Sequence, residues 1–476
     1  MTATLNQNVR SELPCPNSTS SYWHSDPSKK LLGHCTTENL PSASDIVVIG
    51  SGITGTFAAR ELVAGGRRVV IVEAREACWG ATGRNGGHCQ PGVWGNTAKA
   101  ARFELATFKA IAELVAEHDI PCDWQVIGGV HSIYSDDILD IARKQLERLQ
   151  QYPDLTDKAR LILDKGELAA RNVPEAIAAV YQPNAAKFWP YKFVTWLLER
   201  LLTDYDATVF NLQTNTPVER LQRHGSSWIV HTKRGQILAQ EVLLASNAYT
   251  SYLLPKLAGL IIPVRAQVCA LQPPPGAAKL AHSHVWIEDA DYQYLIERGP
   301  DDSGINNDRI AHSADRFLIF GGQKNAVPGG EQGISRDDVV NPIVSQALRR
   351  GLNNAVQLVP RDTSDPEALT AAYEWTGIMG YSRDGSPWVG RVPSTLLDTV
   401  DAENGADGLW ISAGYTGHGM PVAPGCGIAV AQMMLGKTVG VEVPREWTAS
   451  NERVETARSA KLPEVIEDMF NIQDDE

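Results

Sequence analysis

The chain has 476 residues, for which roughly two to three domains are expected. Its 43 Lys and Arg against 56 Asp and Glu give a net charge of -13. That argues against nucleic-acid binding by bulk electrostatics, because neutralising phosphates needs an excess of basic side chains. Charged residues are 21% and hydrophobic residues 43%, an ordinary balance for a globular protein.

No apolar stretch approaches the roughly 20 residues that span a bilayer, so no membrane association is expected. The N-terminus has no apolar run of the signal-peptide kind, which makes a cytoplasmic location the default expectation. The seven cysteines (Cys15, Cys35, Cys78, Cys89, Cys122, Cys269 and Cys426) are odd in number and contain no CxxC pair. Neither a disulfide framework nor a metal site is indicated.

Residues 1–44 are polar, with scattered Pro, Ser and Asn, and read as an N-terminal arm without its own core; Trp23 and His24 are the residues that could dock it. Asp45 to Gly50 is a short apolar run ending in glycine, a buried strand. A helical pattern follows from about Gly52 to Ala64 and stops at Gly65 and Gly66. Val69 to Glu73 is a second buried strand, which completes a βαβ unit.

The turn of that unit reads Gly50-Ser51-Gly52-Ile53-Thr54-Gly55, the GxGxxG pattern in its required place between strand and helix. Gly50 permits the tight turn, Gly52 lets backbone approach a pyrophosphate, and Gly55 lets helix and strand pack closely. A pyrophosphate then meets free N–H groups at the positive end of the helix. Glu73 stands where an acidic group accepts hydrogen bonds from an adenosine ribose and disfavours a 2′-phosphate.

FAD and NAD both use this device. The next segment separates them: Ala81-Thr82-Gly83-Arg84-Asn85-Gly86-Gly87-His88 is a glycine-rich stretch that a NAD unit does not need and a flavin does.

Residues 97–118 and 136–151 have helical spacing. Trp228 to His231, Val242 to Ala245, Asp291 to Ile296, Phe317 to Phe320 and Leu409 to Ala413 read as strands, and a helix opens near Gly425. Between the last strand and that helix lies Ser412 to Met420, a second glycine-rich junction able to aim a helix N-terminus at a flavin. Two such junctions, far apart in sequence, fit one long cofactor.

On four stretches the chain resembles the FAD-dependent amine and amino-acid oxidoreductases of the D-amino-acid oxidase, glycine oxidase and sarcosine oxidase superfamily, and most of all the gamma-glutamylputrescine oxidase type. They are GSGITG with Glu73, WGATGRNGGH (Trp79–His88), WTGIMGYSRDGSPWVGR (Trp375–Arg391) and GYTGHGM (Gly414–Met420).

The resemblance implies an α/β architecture: a Rossmann-type FAD-binding domain built from residues 45–115, 190–262 and 370–440, with a substrate domain from 116–189 and 263–369 containing a mixed β-sheet. Residues 441–476 form a C-terminal tail. Gly50, Gly52, Ile53, Thr54, Gly55, Glu73, Ala74 and Arg75 would hold the ADP part, with Val218 at the adenine. Ala81, Thr82, Gly83, Arg84, Asn85, Gly86, Gly87 and His88 would follow the pyrophosphate, ribityl chain and flavin. Gly414, Tyr415, Thr416, Gly417, His418, Gly419 and Met420 would cap the pyrimidine end.

Sarcosine oxidases tether the flavin through a cysteine whose matching position is Gly377, so non-covalent FAD is expected, with His88 or Cys89 as alternative tethers. The lysine that activates oxygen in those enzymes falls near Ile319, which leaves the electron acceptor open.

The implied reaction moves a hydride from a C–H beside nitrogen to flavin N5, giving an imine, with O2 as the probable acceptor and H2O2 as its product. The alternatives are a flavin dehydrogenase with another acceptor, or a flavin-binding protein without turnover. An aromatic cage would keep the amine neutral; Trp375, Tyr292, Tyr294, Tyr381 and Tyr415 are its candidates. His418 is the best candidate for a polar group at the flavin, Arg84 for a group facing flavin or substrate, and Gln323 for the substrate side. The substrate's identity and the oligomeric state are not readable from the sequence.

Overall fold

A computed structural model of the chain describes residues 9–288, 291–299, 316–352, 355–359, 368–397 and 407–460. Two eight-stranded sheets and a small three-stranded one organise them. In the first sheet, four strands run parallel side by side in the order Gly235–Leu244, Ala43–Ile49, Val69–Val72 and Phe210–Gln213. The continuous apolar runs are explained by burial on both faces. Ile46, Val48, Val69 and Ile71 enter one core with the helices Ile53–Ala64, Pro190–Asp204 and Ala423–Met434. Val47, Ile49, Val70 and Val72 enter another, with Leu254, Leu257 and the Asn451–Ser459 helix.

The outer edge of Gly235–Leu244 is shared. Its first half pairs antiparallel with Ser227–Thr232, while Val242 to Leu244 pair parallel with Leu409–Ala413. Trp388–Arg391 lies beyond that strand. The chain thus returns to its N-terminal sheet after leaving it for more than a hundred residues, and the helix after Leu409–Ala413 packs on the helix after Ala43–Ile49. The two helices meet at Gly427, where a Cβ would stand 2.5 Å from the Thr54 carbonyl oxygen.

The second sheet is mixed. Its order is Ala371–Ser382, Ile261–Leu271, Phe317–Gly321, Asp291–Arg298, Ser283–Glu288, Gly129–Ile133, Ala178–Gln182 and Arg160–Ile162, and only Ser283–Glu288 with Gly129–Ile133 is a parallel pair. This moves one expected boundary. Ala371–Ser382, assigned with the cofactor segments 370–440, is hydrogen-bonded along its length to Ile261–Leu271. The motif beginning at Trp375 is therefore a strand of the second sheet that turns back into the first only at Trp388.

The N-terminal arm has no core of its own, yet it is not peripheral. Tyr22 and Trp23 are buried in the largest core. The Trp23 indole donates to the Asn85 carbonyl, the Trp189 indole donates to the Trp23 carbonyl, and the His24 ring stacks on Trp79 at 3.7 Å. None of the described helices is long and apolar enough to cross a membrane.

Candidate active site

A cavity of 590 Å³ runs between the two sheets and is lined by both glycine-rich junctions. At one end it meets the first turn. Gly50 has φ +109°, and a Cβ there would sit 2.7 Å from the Ala245 carbonyl oxygen, so the turn admits glycine alone. Gly52 caps the helix with no side-chain hydrogen bond; Gly52, Ile53 and Thr54 line the cavity, and the Ile53 N–H donates to the Thr82 hydroxyl at 3.1 Å. The Glu73 carboxylate accepts from Ser51 N–H (2.9 Å), the Ser51 hydroxyl (2.7 Å) and Arg75 N–H (3.0 Å). No cation pairs with it among the described residues, and its remaining lone pairs are available to ribose hydroxyls. Ala74, Arg75 and Val218 line the same end, and Leu13 and Pro14 of the arm close it.

Along the middle, Ala81, Thr82, Arg84, Asn85, Gly86 and His88 line the cavity. Gly83 and Gly87 do not. Their lack of a side chain serves the protein instead: a Cβ on Gly87 would stand 2.5 Å from the Trp23 ring, and one on Gly83 2.5 Å from His24. Gly55 and Gly414 also lie off the cavity lining. Gly55 is pressed on the turn itself, 2.0 Å from Gly50 O to a hypothetical Cβ.

Two expected catalytic groups are bonded within the protein. The Arg84 guanidinium, read as facing flavin or substrate, is fully buried. Its Nε donates to the Thr376 carbonyl (2.6 Å) and pairs with Asp337 (3.4 Å), and its terminal nitrogens bind Ser18 and Thr19. Asp337 also takes Arg75 (3.0 Å). This shared carboxylate fastens the arm, the glycine-rich stretch and the second sheet together. Trp375, read as a cage residue, is buried in the core with its indole donating to Arg84 O at 2.7 Å. Trp375 stands on the same strand face as Gly377, Met379 and Tyr381, which line the cavity, but earlier along the strand, where it meets the Arg84 carbonyl instead.

The far end is aromatic. Tyr292, Tyr294, Tyr381, Tyr415 and Trp94 line it. Burial pushes the Tyr292 phenol up to about 12 and raises Tyr294 and Tyr381 as well, so these hydroxyls stay protonated. Tyr415 is held by Thr54 and Ser412 hydroxyls, both at 2.9 Å. Gln323 is not on the cavity wall; its amide donates to Glu288, while Gly322 and Lys324 line the cavity on either side of it. Gly377 lines the cavity, Ile319 is buried in the core, and Cys89 is buried off the cavity, whereas His88 lines it with Nε2 unpartnered.

His418 is on the wall, and its partner is one the sequence did not suggest. Nε2 lies 2.7 Å from Glu104 Oε2. Glu104 is 1% exposed and also accepts from Gly92 N–H and the Asn96 amide, each at 2.7 Å. Burial pulls the His418 pKa down, but the charge and hydrogen bond of Glu104 outweigh it and hold it above the ordinary value. Burial takes His88 to about 4 and His131 to about 3, so both are neutral. One signal of Glu104 existed: it stands on the buried face of the Ala98–His118 helix, with Ala100, Ala101, Phe103, Thr107 and Phe108.

The residues fit FAD. The cavity is long, both glycine-rich junctions line it, the acidic Glu73 lines the end where a ribose would lie, and the buried His88 ring, with Nε2 unpartnered, borders it.

Comparison with known proteins agrees. The family model described as FAD dependent oxidoreductase matches residues 45–433. The chain is 24% identical over 416 residues to the probable oxidoreductase OrdL of Haemophilus influenzae, covering 83% of each. It is also 24% identical over 436 residues to the gamma-glutamylputrescine oxidoreductase of Escherichia coli, covering 88% of this chain and 89% of that one. The crystal structure of glycine oxidase from Geobacillus kaustophilus shares the fold, with a TM-score of 0.68 over 86% of this chain and 99% of that chain at 18% identity. With the family match spanning both glycine-rich junctions and nearly everything between them, the chain belongs to the FAD-dependent oxidoreductases of the D-amino-acid oxidase family.

Proposed function

We propose that this flavoenzyme oxidises the C–N bond of an amine or amino acid to an imine. The observation that carries the reading is the single cavity, which starts at the Gly50–Gly55 turn and Glu73 and ends among tyrosines. Gly50, Gly52, Ile53, Thr54, Glu73 and Val218 would hold the ADP half of FAD. Thr82, Asn85, Gly86 and His88 would run beside its middle, and Tyr415 to Met420 beside its ring. Bound there, FAD supplies a two-electron sink.

The chain's own residues do the rest. The tyrosine wall excludes water and disfavours an ammonium ion, which keeps the substrate nitrogen's lone pair available. Glu104 Oε2, 2.7 Å from His418 Nε2, favours the protonated ring, which would set positive charge at the wall where negative charge would collect as electrons arrive. The buried phenols and the neutral His88 and His131 add dipoles without adding charge. In the balance, the substrate loses one C–H and one N–H hydrogen with two electrons, and the C=N bond forms. Water then releases a carbonyl compound and an amine. O2 takes the two electrons and two protons and leaves as H2O2. A dehydrogenase using another acceptor is the second reading, favoured by Ile319 at the position of an oxygen-activating lysine.

The test is anaerobic mixing of the purified yellow protein with polyamines, N-methyl amino acids and D-amino acids. Bleaching of the flavin band by one class supports the reading, and recolouring when air is readmitted supports O2 as acceptor. Persistent colour with every amine is the result that overturns it.

A further inference from the structure

We propose that the amine oxidised here carries no carboxylate on the reacting carbon, and that the Asp291–Lys324 pair sets this selectivity. The inference rests on the amine-oxidation reading above and narrows it.

An α-carboxylate brought out of water against an aromatic wall needs a cation to receive it, because a desolvated charge without a partner is costly. Among the described residues, Arg75, Arg84 and Lys324 are the Lys and Arg side chains that line the cavity, and all three are already paired. Arg75 and Arg84 share Asp337 behind the glycine-rich stretch, and the Arg84 side chain has no exposure.

Among the described residues, Lys324 is the Lys or Arg side chain that lines the tyrosine end. Its ammonium is bonded to Asp291 Oδ1, and its backbone N–H donates to Asp291 Oδ2 at 3.1 Å. Asp291 and Tyr292, the first residues of their strand, line the cavity, and neither is basic. Arg298 and Arg316 stand at the other end of these strands. The strand from Tyr292 to Arg298 covers about 20 Å.

The histidines do not change the ledger. Burial takes His88 and His131 below their ordinary value, and His418, whose pKa Glu104 raises, is matched by that carboxylate. Among the described residues, each cation at the tyrosine end is therefore matched by a carboxylate, and a substrate carboxylate placed there meets Glu104 and Asp291. A neutral amine on an alkyl or benzylic carbon meets only phenols and indole.

The experiment compares matched pairs by anaerobic stopped-flow reduction of the holoenzyme: 1,4-diaminobutane with ornithine, benzylamine with phenylglycine, and N-methylbutylamine with N-methylnorvaline, the acids in both enantiomers. In at least one pair, the amine is expected to reduce the flavin at least ~100-fold faster than either acid, the scale of an unpaired buried charge. Acids that reduce the flavin as fast as their amines overturn the proposal and leave amine oxidation standing. If no compound of either kind reduces it, the amine-oxidation reading fails and this proposal with it.

A binding readout is independent of turnover. Benzoate should leave the wild-type flavin spectrum unchanged and perturb that of Asp291→Asn, where Lys324 is released. Perturbation of the wild-type spectrum, or an FAD-loaded variant that gains no benzoate binding, overturns the role given to the pair.

Discussion

At the Glu73 end of the cavity, the groups on offer are main-chain N–H donors and one carboxylate, all from a single stretch, Gly50 to Glu73. At the Tyr292 end they are side chains: Tyr292 and Tyr294 from one strand, Tyr381 from another, His418 from a junction, Glu104 from a helix and Trp94 from a loop. The first end is local and backbone-made, so it reads in sequence and tolerates few changes. The second is assembled by packing, so its members are replaceable one at a time and their partners are invisible until the chain is folded.

Gly55→Ala should break the backbone-made end. Its Cβ would meet the Gly50 carbonyl at 2.0 Å, a collision with main chain that costs upward of about 3 kcal/mol. The expected outcome is protein purified without yellow colour, read as the ratio of flavin to protein absorbance. Full FAD occupancy in this variant would contradict the turn's assigned role.

Asp337→Asn comes next. It leaves Arg75 and Arg84 buried with half their anion gone, at about 3–5 kcal/mol. The melting temperature should fall by several degrees. If it does not, the arm is held by something other than this cluster.

Glu104→Gln probes the assembled end. His418 has its pKa raised by Glu104. The stability from this pair is therefore fully present below the imidazole's ordinary value of 6.5 and lost as pH rises through the higher folded value. The variant should lose about 1 kcal/mol below pH 6.5, after allowance for the solvent that reaches the half-open ring. It should also flatten the pH dependence of denaturant unfolding, while FAD content stays normal. A wild-type pH profile retained by the variant would remove Glu104 as the cause.

The smallest effect belongs to a control. Gly66 also has positive φ, +82°, but nothing stands within 4 Å of its Cβ position. Gly66→Ala should cost about 1 kcal/mol of backbone strain and leave FAD binding intact, in contrast to Gly55→Ala.

Much of the frame was legible. The apolar runs at Asp45 and Val69, the helix after Gly52 and the strand at Leu409 appear in the structure within a few residues of where periodicity puts them. The Pro190–Asp204 helix was passed over although Pro190 stands at its first turn, the place proline favours. The strand at Ala371 was read through its motif, and the motif hid which sheet it joins. Trp375 was expected in the aromatic cage and Arg84 at flavin or substrate, but what each bonds to, the Arg84 carbonyl and Asp337, is brought near only by packing.

The sequence by itself determined the cofactor end, because a tight turn, a helix N-terminus and a strand-end carboxylate are set by consecutive residues whose geometry is local. It also pointed to two distant junctions meeting, and both line one cavity. Tertiary structure alone decided which charged groups are spent on each other: Arg75 and Arg84 on Asp337, Lys324 on Asp291, and His418 on Glu104. Each pair joins residues far apart in the chain, and a buried charge takes whatever partner packing brings within reach.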